Sequence, residues 1–321
     1  MSTATQRRAS ERTVYITGVI RSGTTFVADM MTRLPYVDYI HEPFLGGVTL
    51  PNRTPLRPIY VRPGSDEEPH TQRYDEQLRA LLDYRVEIPS AKYDGDPGLR
   101  KLVKRLVGSR GPFYLRLAKL NPLATAVVLK DPYGKLAAER LFLKFGAKPI
   151  IVVKHPVSFA ASLSRVGWWP ELHEFRKDLL LREDYFSGDD AFFERSWDSR
   201  FMESMGHWRA AYKILLDQAE RHDWCVVLHE ELSANPLQEF RRIFDYAGFR
   251  FTGATARRVV ALTSNESPAA RDGRVQDFRR DSARIFEHRR DSIPAETRAQ
   301  IFDIVSDVAL RVYDRESFAI E

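Results

Sequence analysis

Short apolar runs alternate along this chain with apolar stripes at helical spacing. Runs at 14–16, 37–40, 126–129, 149–153 and 224–228 are rich in valine, isoleucine and leucine, which is typical of buried strands. Between them, apolar residues recur every three or four positions and predict helices over about 23–34, 135–145, 196–221 and 294–313. Strands that alternate with helices predict an α/β fold with a central parallel sheet.

Two stretches interrupt this alternation. The first, about 45–120, has little strand character, five prolines between positions 51 and 69, and helical patterns only at about 74–86 and 99–107. The second, about 167–196, opens with Gly167-Trp168-Trp169-Pro170. Because irregular segments of this length inside a compact domain are commonly functional, we interpret both as substrate-binding insertions.

Composition is that of a soluble globular protein, with 321 residues, 43% hydrophobic and 29% charged. This length favours one domain over 13–321 behind a disordered tail at 1–12, with two small domains as the alternative. The net charge of +5 suits an anionic ligand. No basic run interleaved with aromatic residues indicates a nucleic-acid partner.

The single cysteine, the first twelve residues and the length of the apolar runs indicate where in the cell the protein is expected. Cys225 is the only cysteine, so no intrachain disulfide can form and a reducing compartment is favoured. The first twelve residues are polar and basic, unlike a secretory signal, and no apolar run reaches the ~18 residues of a membrane span. A cytoplasmic protein is therefore expected, which leaves peripheral membrane contact open.

The stretch 14–34 carries the clearest chemistry. Its strand is followed by Gly18-x-x-x-x-Gly23-Thr24-Thr25 and then by a helix, so loop N–H groups and a helix N-terminus point into one small volume that suits an anion. The spacing is that of a nucleotide-binding P-loop, but Thr24 stands where the P-loop lysine would be, and the positive charge lies in the loop at Arg21. ATP or GTP hydrolysis is therefore disfavoured. A 5′-phosphate held by N–H groups, hydroxyls and a guanidinium is favoured.

Arg21-Ser22-Gly23-Thr24-Thr25 resembles the 5′-phosphosulfate loop of sulfotransferases that use 3′-phosphoadenosine 5′-phosphosulfate (PAPS). The leading arginine is similar to the Golgi-type and bacterial branches of that family. The resemblance extends over the blocks 14–44, 126–165 and 223–248, and the last block contains His229-Glu230-Glu231-Leu232, similar to a recurrent and mostly structural segment. It implies that residues 21–25 bind the 5′-phosphosulfate. Because the Golgi-type relatives are anchored and no apolar run here is long enough to span a membrane, a bacterial-type cytoplasmic enzyme is expected.

Candidates for proton transfer follow the second strand, in His41-Glu42-Pro43-Phe44. Ligands bind at the carboxyl ends of strands in open α/β sheets. By the family resemblance, Glu42 is the candidate general base that takes the proton from an acceptor hydroxyl, a role that a partly desolvated carboxylate within hydrogen-bond reach can fill. His41 is the competing candidate.

A candidate electrostatic catalyst follows the third strand, in Lys130-Asp131-Pro132. The element resembles one in the family whose lysine lies against the transferring sulfuryl group. An ammonium suits that place because negative charge builds on the sulfuryl oxygens during in-line transfer. We therefore count Lys130 as catalytic, together with Arg21 of the loop.

Residues for a second phosphate follow the fourth strand. Lys154 and Ser162, eight positions apart, stand where the family carries a basic residue and a serine that bind the 3′-phosphate. Arginine is usual at the first position; lysine can neutralise a phosphate but lacks the bidentate fork. In the family a basic C-terminal segment also covers this phosphate, and by that resemblance Arg280 and Ser282 are the candidates here.

Together these features predict a three-layer α/β/α, P-loop-like domain with acceptor-binding insertions at about 45–120 and 167–196. The predicted activity is transfer of a sulfuryl group from PAPS, without a metal, to the hydroxyl of an acceptor. The layout resembles bacterial enzymes of surface-polysaccharide and glycolipid synthesis, so a carbohydrate or glycolipid is favoured. Two alternatives are a P-loop-type kinase of a small alcohol and a non-catalytic nucleotide- or glycan-binding protein. The sequence does not reveal the oligomeric state.

Overall fold

A computed structural model describes residues 12–45, 48–89, 109–263 and 290–320. Its strands are β1 (Arg12–Thr17), β2 (Val37–His41), β3 (Ala126–Lys130), β4 (Lys148–Val153) and β5 (Cys225–Leu228). They form a five-stranded sheet in the order β2-β3-β1-β4-β5. The pairs β1–β3, β2–β3 and β4–β5 are parallel, which confirms the predicted α/β fold with a central parallel sheet.

Helices connect these strands in the described ranges. The α-helices are α1 (Thr24–Met31), α2 (Pro69–Leu82), α3 (Arg110–Leu120), α4 (Ala138–Phe145), α5 (Pro156–Val166), α6 (His173–Arg176), α7 (Leu179–Tyr185), α8 (Asp190–Glu194), α9 (Arg200–His222), α10 (His229–Ala234), α11 (Pro236–Ala247), α12 (Gly253–Thr263) and α13 (Ala295–Ala309). Short 3₁₀ helices occupy Lys135–Ala137 and Glu316–Phe318. No described helix combines the length and hydrophobicity that crossing a membrane requires.

One compact unit comprises the described residues of Met1–Thr17 and Met31–Pro149. Its strand β3 lies between β1 and β2, and every residue of β3 is buried. The register pairs His41 of β2 with Lys130 of β3, so the ends of these two strands lie side by side. A buried guanidinium, that of Arg140 in α4, ties the helices together because it donates to Asp75 in α2 at 2.6 Å.

A second unit comprises the described residues of Gly18–Met30 and Ile150–Glu321. Its strands β4 and β5 pair from Ile150↔Cys225 to Val153↔Leu228. The long helix α9 supports the end of β4 through two buried side chains: Trp208 donates to the Lys154 carbonyl at 2.9 Å and Tyr212 donates to the Val152 carbonyl at 2.8 Å. These bonds hold in place the point at which the chain leaves β4.

Several predicted elements differ from the observed ones. Helix α1 ends at Met31 rather than near position 34, and α3 lies inside the stretch 45–120 that the sequence predicts to be irregular. Gly111-Pro112 is typical of a turn, and for this reason the sequence does not predict α3. Proline is nevertheless tolerated in the first turn of a helix, where Pro112 lies. The stretch 167–196 contains α6, α7 and α8, each seven residues or shorter. The expected helix at 99–107 and most of the expected tail at 1–12 lie outside the described residues.

Candidate functional site

The loop between β1 and α1 has a backbone that two glycines make possible. Gly18 has φ +152°, and a Cβ there would lie 2.3 Å from the Val152 carbonyl oxygen. Gly23 has φ +105°, and its Cβ would lie 2.7 Å from the Cδ2 of His229. Arg21 itself adopts the left-handed region with φ +67°, an uncommon conformation for a residue with a side chain. The loop therefore turns tightly and delivers the chain to α1 at Thr24, as the anion-site prediction requires.

Two cationic side chains and a serine meet at this loop. The Arg21 Nε donates to Ser162 Oγ at 3.2 Å, and the Lys154 Nζ donates to the Arg21 carbonyl at 3.3 Å. Lys154 and Ser162 are 3% and 4% exposed. The structure thus brings together three residues that the sequence separates by up to 141 positions, with positive charge concentrated where water has little access. Such a place favours an anion.

Burial also acts on the guanidinium itself. The pKa of Arg21 is lowered by burial, and the neighbouring charge of Arg165 acts in the same direction. The guanidinium lies over the indole ring of Trp168, 5.9 Å from its centroid. Arg21 and Arg165 repel each other, and an anionic ligand bound between or beside them would reduce that repulsion.

A buried hydroxyl provides a test of whether an anion fits here. Ser22 is 0% exposed, and its Oγ makes no well-formed hydrogen bond among the described residues, although it lies close to the Tyr212 hydroxyl. Burying a polar group without a partner costs free energy, so a ligand oxygen in this loop would satisfy it. The loop residues therefore fit a phosphate- or sulfate-bearing group, with Thr24 buried and Thr25 partly exposed at the start of α1.

In the other unit, Glu42 and Lys130 form an ion pair between Glu42 Oε1 and Lys130 Nζ. The register of β2 and β3 explains it: the Glu42 N–H donates to the Lys130 carbonyl at 2.8 Å, so the two side chains leave adjacent backbone positions. Lys130 is 1% exposed and the Glu42 side chain 15%. Burial alone would raise the pKa of Glu42, but the charge of Lys130 brings that pKa below its ordinary value. Glu42 is therefore an ionised carboxylate with a buried cation beside it.

The competing candidate, His41, is a neutral imidazole. Burial and then the charge of Lys130 lower the pKa of His41 to about 3. Its Nδ1 and the Tyr39 hydroxyl lie 2.7 Å apart, and its Nε2 lies 3.7 Å from Glu42 Oε2. His41 thus borders the same carboxylate that it competes with as a candidate base.

Asp131 organises the backbone around this pair. Its Oδ2 accepts from the Phe44 N–H at 2.7 Å, and its Oδ1 accepts from the Tyr133 N–H at 2.7 Å. The segment that follows Glu42 is thereby fastened to the one that follows Lys130. Burial raises the pKa of Asp131 to about 7.

Two predicted site residues, Arg280 and Ser282, lie outside the described residues. Other residues near the site were not predicted. Sequence reasoning did not single out Tyr212 or Tyr313, which contact the backbone and side chains around Lys154. For Glu230, the sequence offered only the likeness of its segment to a structural element of the family.

Comparisons with known proteins give matches among solved structures. No family model and no curated protein sequence matches the chain. The sulfotransferase domain of the Synechococcus PCC 7002 olefin synthase is 16% identical, with 94% of each chain covered and a TM-score of 0.49. The sulfotransferase STF9 from Mycobacterium avium is 15% identical, with 97% of this chain and 78% of that chain covered and a TM-score of 0.46.

A third match, mouse sulfotransferase SULT7A1 in complex with PAP, is 12% identical, with 96% of this chain and 86% of that chain covered and a TM-score of 0.44. All three are sulfotransferases or sulfotransferase domains, the family that the motifs of this sequence resemble.

Proposed function

We propose that this protein is a PAPS-dependent sulfotransferase that transfers a sulfuryl group to the hydroxyl of an acceptor. The observation that carries the proposal is the meeting of Arg21, Lys154 and Ser162 around the glycine-bounded loop. PAPS carries a 5′-phosphosulfate and a 3′-phosphate, and the loop and the Lys154–Ser162 pair offer one site for each. The resemblance of the sequence motifs agrees with this assignment, as does the likeness in fold to known sulfotransferases.

Residues 21–25 would hold the 5′-phosphosulfate, and Lys154 and Ser162 the 3′-phosphate. The buried Ser22 hydroxyl would gain a well-formed hydrogen bond. An arginine suits the phosphosulfate because its planar donors match two oxygens at once. Lys154 supplies a point charge, which attracts a phosphate but directs it less strictly.

Glu42 would act as the general base and Lys130 as the electrostatic catalyst. The acceptor oxygen forms a bond to sulfur while the bond between sulfur and the bridging phosphate oxygen breaks. The hydroxyl proton passes to Glu42, and the products are a sulfate ester and adenosine 3′,5′-bisphosphate (PAP). The low pKa of Glu42 suits a reaction in which the acceptor oxygen becomes strongly acidic as it bonds to sulfur, since a weak base is then sufficient.

A carbohydrate or glycolipid is the proposed acceptor class. Support comes from the His-Glu-Pro-Phe and Lys-Asp-Pro elements, which resemble those of bacterial enzymes in polysaccharide and glycolipid synthesis. A reducing, cytoplasmic location is proposed because the single cysteine is a buried free thiol.

Calorimetry with PAP and with adenosine 5′-phosphate tests the donor site. We expect the wild-type protein to bind PAP at least tenfold more tightly, because only PAP has the second phosphate. Lys154→Ala should abolish most of this difference, whereas Lys177→Ala, which removes an exposed lysine of the same unit, should leave it unchanged. Equal affinity of the wild-type protein for both nucleotides would contradict the proposal.

A screen with labelled PAPS tests the transfer itself. Mono- and oligosaccharides, glycolipids, phenols and simple alcohols are compared as acceptors, and label in a glycan or glycolipid product is the expected result. Turnover of ATP that requires magnesium would favour the kinase alternative. Tight binding of PAP without transfer to any acceptor would favour a binding protein.

A further inference from the structure

Glu230 has no role in the proposed reaction, yet it contacts the turn that follows β4. It is the second residue after β5, in the first turn of α10, and its side chain is 17% exposed. Its two carboxylate oxygens accept from the His155 N–H at 3.2 and 3.3 Å, and Oε2 also accepts from the Tyr313 hydroxyl at 2.9 Å. One carboxylate therefore joins the end of β4 to the C-terminal part of the chain.

His155, which Glu230 contacts, lies between the two residues of the candidate 3′-phosphate site. It follows Lys154 and caps α5, the helix that carries Ser162, because its Nδ1 accepts from the Val157 N–H at 3.2 Å. Its Nε2 lies 3.0 Å from Ser317 Oγ. The imidazole also packs against the rings of Tyr313 and Phe318, with centroids 4.8 and 4.4 Å away. The C-terminal residues 313–318 thus contact the turn that presents Lys154 and Ser162.

We propose that Glu230 is a positioning residue for nucleotide recognition: with Tyr313, it fixes the turn after β4 so that Lys154 and Ser162 together recognise a second phosphate. This inference rests on the proposed function of that site. It assigns a role in ligand selection to residues 313–318, which are distant in sequence from the phosphate motifs.

The charge of Glu230 separates a positioning role from a purely electrostatic one, because the two predict opposite changes in phosphate affinity when that charge is removed. Burial raises the pKa of Glu230, and the nearby charge of Lys154 opposes that rise. A carboxylate near Lys154 partly cancels the charge that attracts a phosphate, so by electrostatics alone its neutralisation would tighten the binding of an anion. Positioning predicts the opposite. In Glu230→Gln only one of the two carboxylate oxygens remains an acceptor, and the bonds from the His155 N–H and the Tyr313 hydroxyl lose the assistance of the negative charge. The turn is then held less firmly, and a second phosphate is recognised less well.

The test compares the affinities of Glu230→Gln for PAP and for adenosine 5′-phosphate. We expect the affinity for PAP to fall about tenfold, the effect of one lost charge-assisted hydrogen bond, with little change for adenosine 5′-phosphate. Tyr313→Phe keeps the ring contact and every charge, and should weaken PAP binding about threefold. Adding it to Glu230→Gln should cause no further loss, because it acts through Glu230. Glu231→Gln, which changes the exposed neighbouring glutamate, is the control and should behave as the wild type.

Amide hydrogen exchange gives a second readout that needs no nucleotide. The N–H groups of His155 and Val157 should exchange faster in Glu230→Gln than in the wild type or in Glu231→Gln. Unchanged exchange at these amides, or PAP binding in Glu230→Gln that equals or exceeds the wild type, would overturn the inference. If the wild-type protein does not prefer PAP, the proposed function and the role in ligand selection fail together. Faster exchange would then establish Glu230 as a structural brace only.

Discussion

Glu42 and Lys130 show how two buried side chains define each other's chemistry. The carboxylate stays ionised in a place that would otherwise favour its neutral form, because the ammonium beside it lowers its pKa. Glu42 also has φ +46°, an uncommon conformation for a residue with a side chain. Such conformations are concentrated at functional sites, where surrounding contacts hold them.

Removal of the carboxylate charge tests the proposed base. Glu42→Gln should lower turnover by roughly 10²–10⁴-fold, the usual contribution of a general base, while the affinity for PAP stays near that of the wild type. Initial rates with labelled PAPS and calorimetry with PAP measure the two quantities. Glu76→Gln changes an exposed glutamate of α2 and serves as the control. Wild-type turnover in Glu42→Gln would reassign the role, with His41 the next candidate.

Removal of the ammonium should change how activity depends on pH. In Lys130→Met, the charge that most strongly lowers the pKa of Glu42 is gone, so burial raises that pKa. The acidic limb of the pH profile of kcat/KM should therefore move to higher pH. Turnover at neutral pH should also fall. Lys130→Arg keeps the charge and should keep the limb near its wild-type position. An acidic limb that is the same in all three proteins would mean that another group titrates.

At the scale of secondary structure, sequence patterns located every described strand to within about two residues. The strands could be located because runs such as 150–153 contain only isoleucine and valine, which are typical of a buried strand. The pairing of Glu42 with Lys130 could not be predicted, because it depends on the register of β2 and β3, and periodicity does not reveal which strands are neighbours. The contact between Glu230 and His155 depends in the same way on the pairing of β4 with β5. The sequence thus identified candidate residues by type and spacing, but not their partners.

The loop before α1 should tolerate no side chain at Gly18. In Gly18→Ala the new Cβ would lie 2.3 Å from a main-chain oxygen, which cannot rotate away as a flexible side chain could. We expect the loop to shift, the affinity for PAP to fall at least tenfold, and the free energy of unfolding to fall by about 1–3 kcal/mol. Gly188→Ala is the matched control, because Gly188 also has positive φ (+82°) but open space around its Cβ position. Calorimetry and urea denaturation measure both effects; similar losses in the two variants would contradict the steric explanation.

The cap of α5 should make stability depend on pH in a specific window. Burial lowers the pKa of His155 to about 3, below the ~6.5 of an unfolded chain, so the unfolded state takes up a proton as pH falls while the folded state does not. The contribution of this group is therefore fully present above pH ~6.5 and is lost as pH falls from there towards 3.

His155→Asn keeps a capping acceptor but has no titrating ring. The stability difference between the wild type and His155→Asn should therefore shrink by about 2 kcal/mol between pH 7 and pH 5. Urea denaturation at the two pH values measures it, and His173→Asn, at an exposed histidine, should show no such change. A difference that is independent of pH would show that folding does not lower the pKa of His155.

At the scale of the whole molecule, each compact unit has a polar side chain that joins distant segments of that unit. In the unit of β1, β2 and β3, Arg140 is 3% exposed and its Nη2 bonds to both Asp75, at 2.5 Å, and Asp66, at 2.9 Å. In the unit of β4 and β5, Glu230 has the comparable role through His155 and Tyr313. Both side chains join segments that are far apart in sequence.

Loss of the Arg140 guanidinium should be costly. Arg140→Met leaves the buried carboxylate of Asp75 with only the Lys144 ammonium, at 3.7 Å, as a cationic partner, and we expect the free energy of unfolding to fall by about 3 kcal/mol. Arg85→Met breaks the exposed pair with Asp83, where Arg85 is 62% exposed, and should cost less than about 1 kcal/mol. Urea denaturation of the two variants measures both values. Equal losses would mean that burial of the Arg140 pair adds nothing.

The ion pair of Glu42 with Lys130 has one more consequence for the whole reaction cycle. While Glu42 is charged, the ammonium already has a counterion and attracts other anions weakly. In the proposed reaction Glu42 takes up the acceptor's proton, so that counterion would disappear and Lys130, which is 1% exposed, would be left as an uncompensated positive charge. Removal of the proton from the acceptor and stabilisation of the sulfuryl oxygens would then occur together, and an acceptor that cannot give up a proton would leave Lys130 neutralised by Glu42.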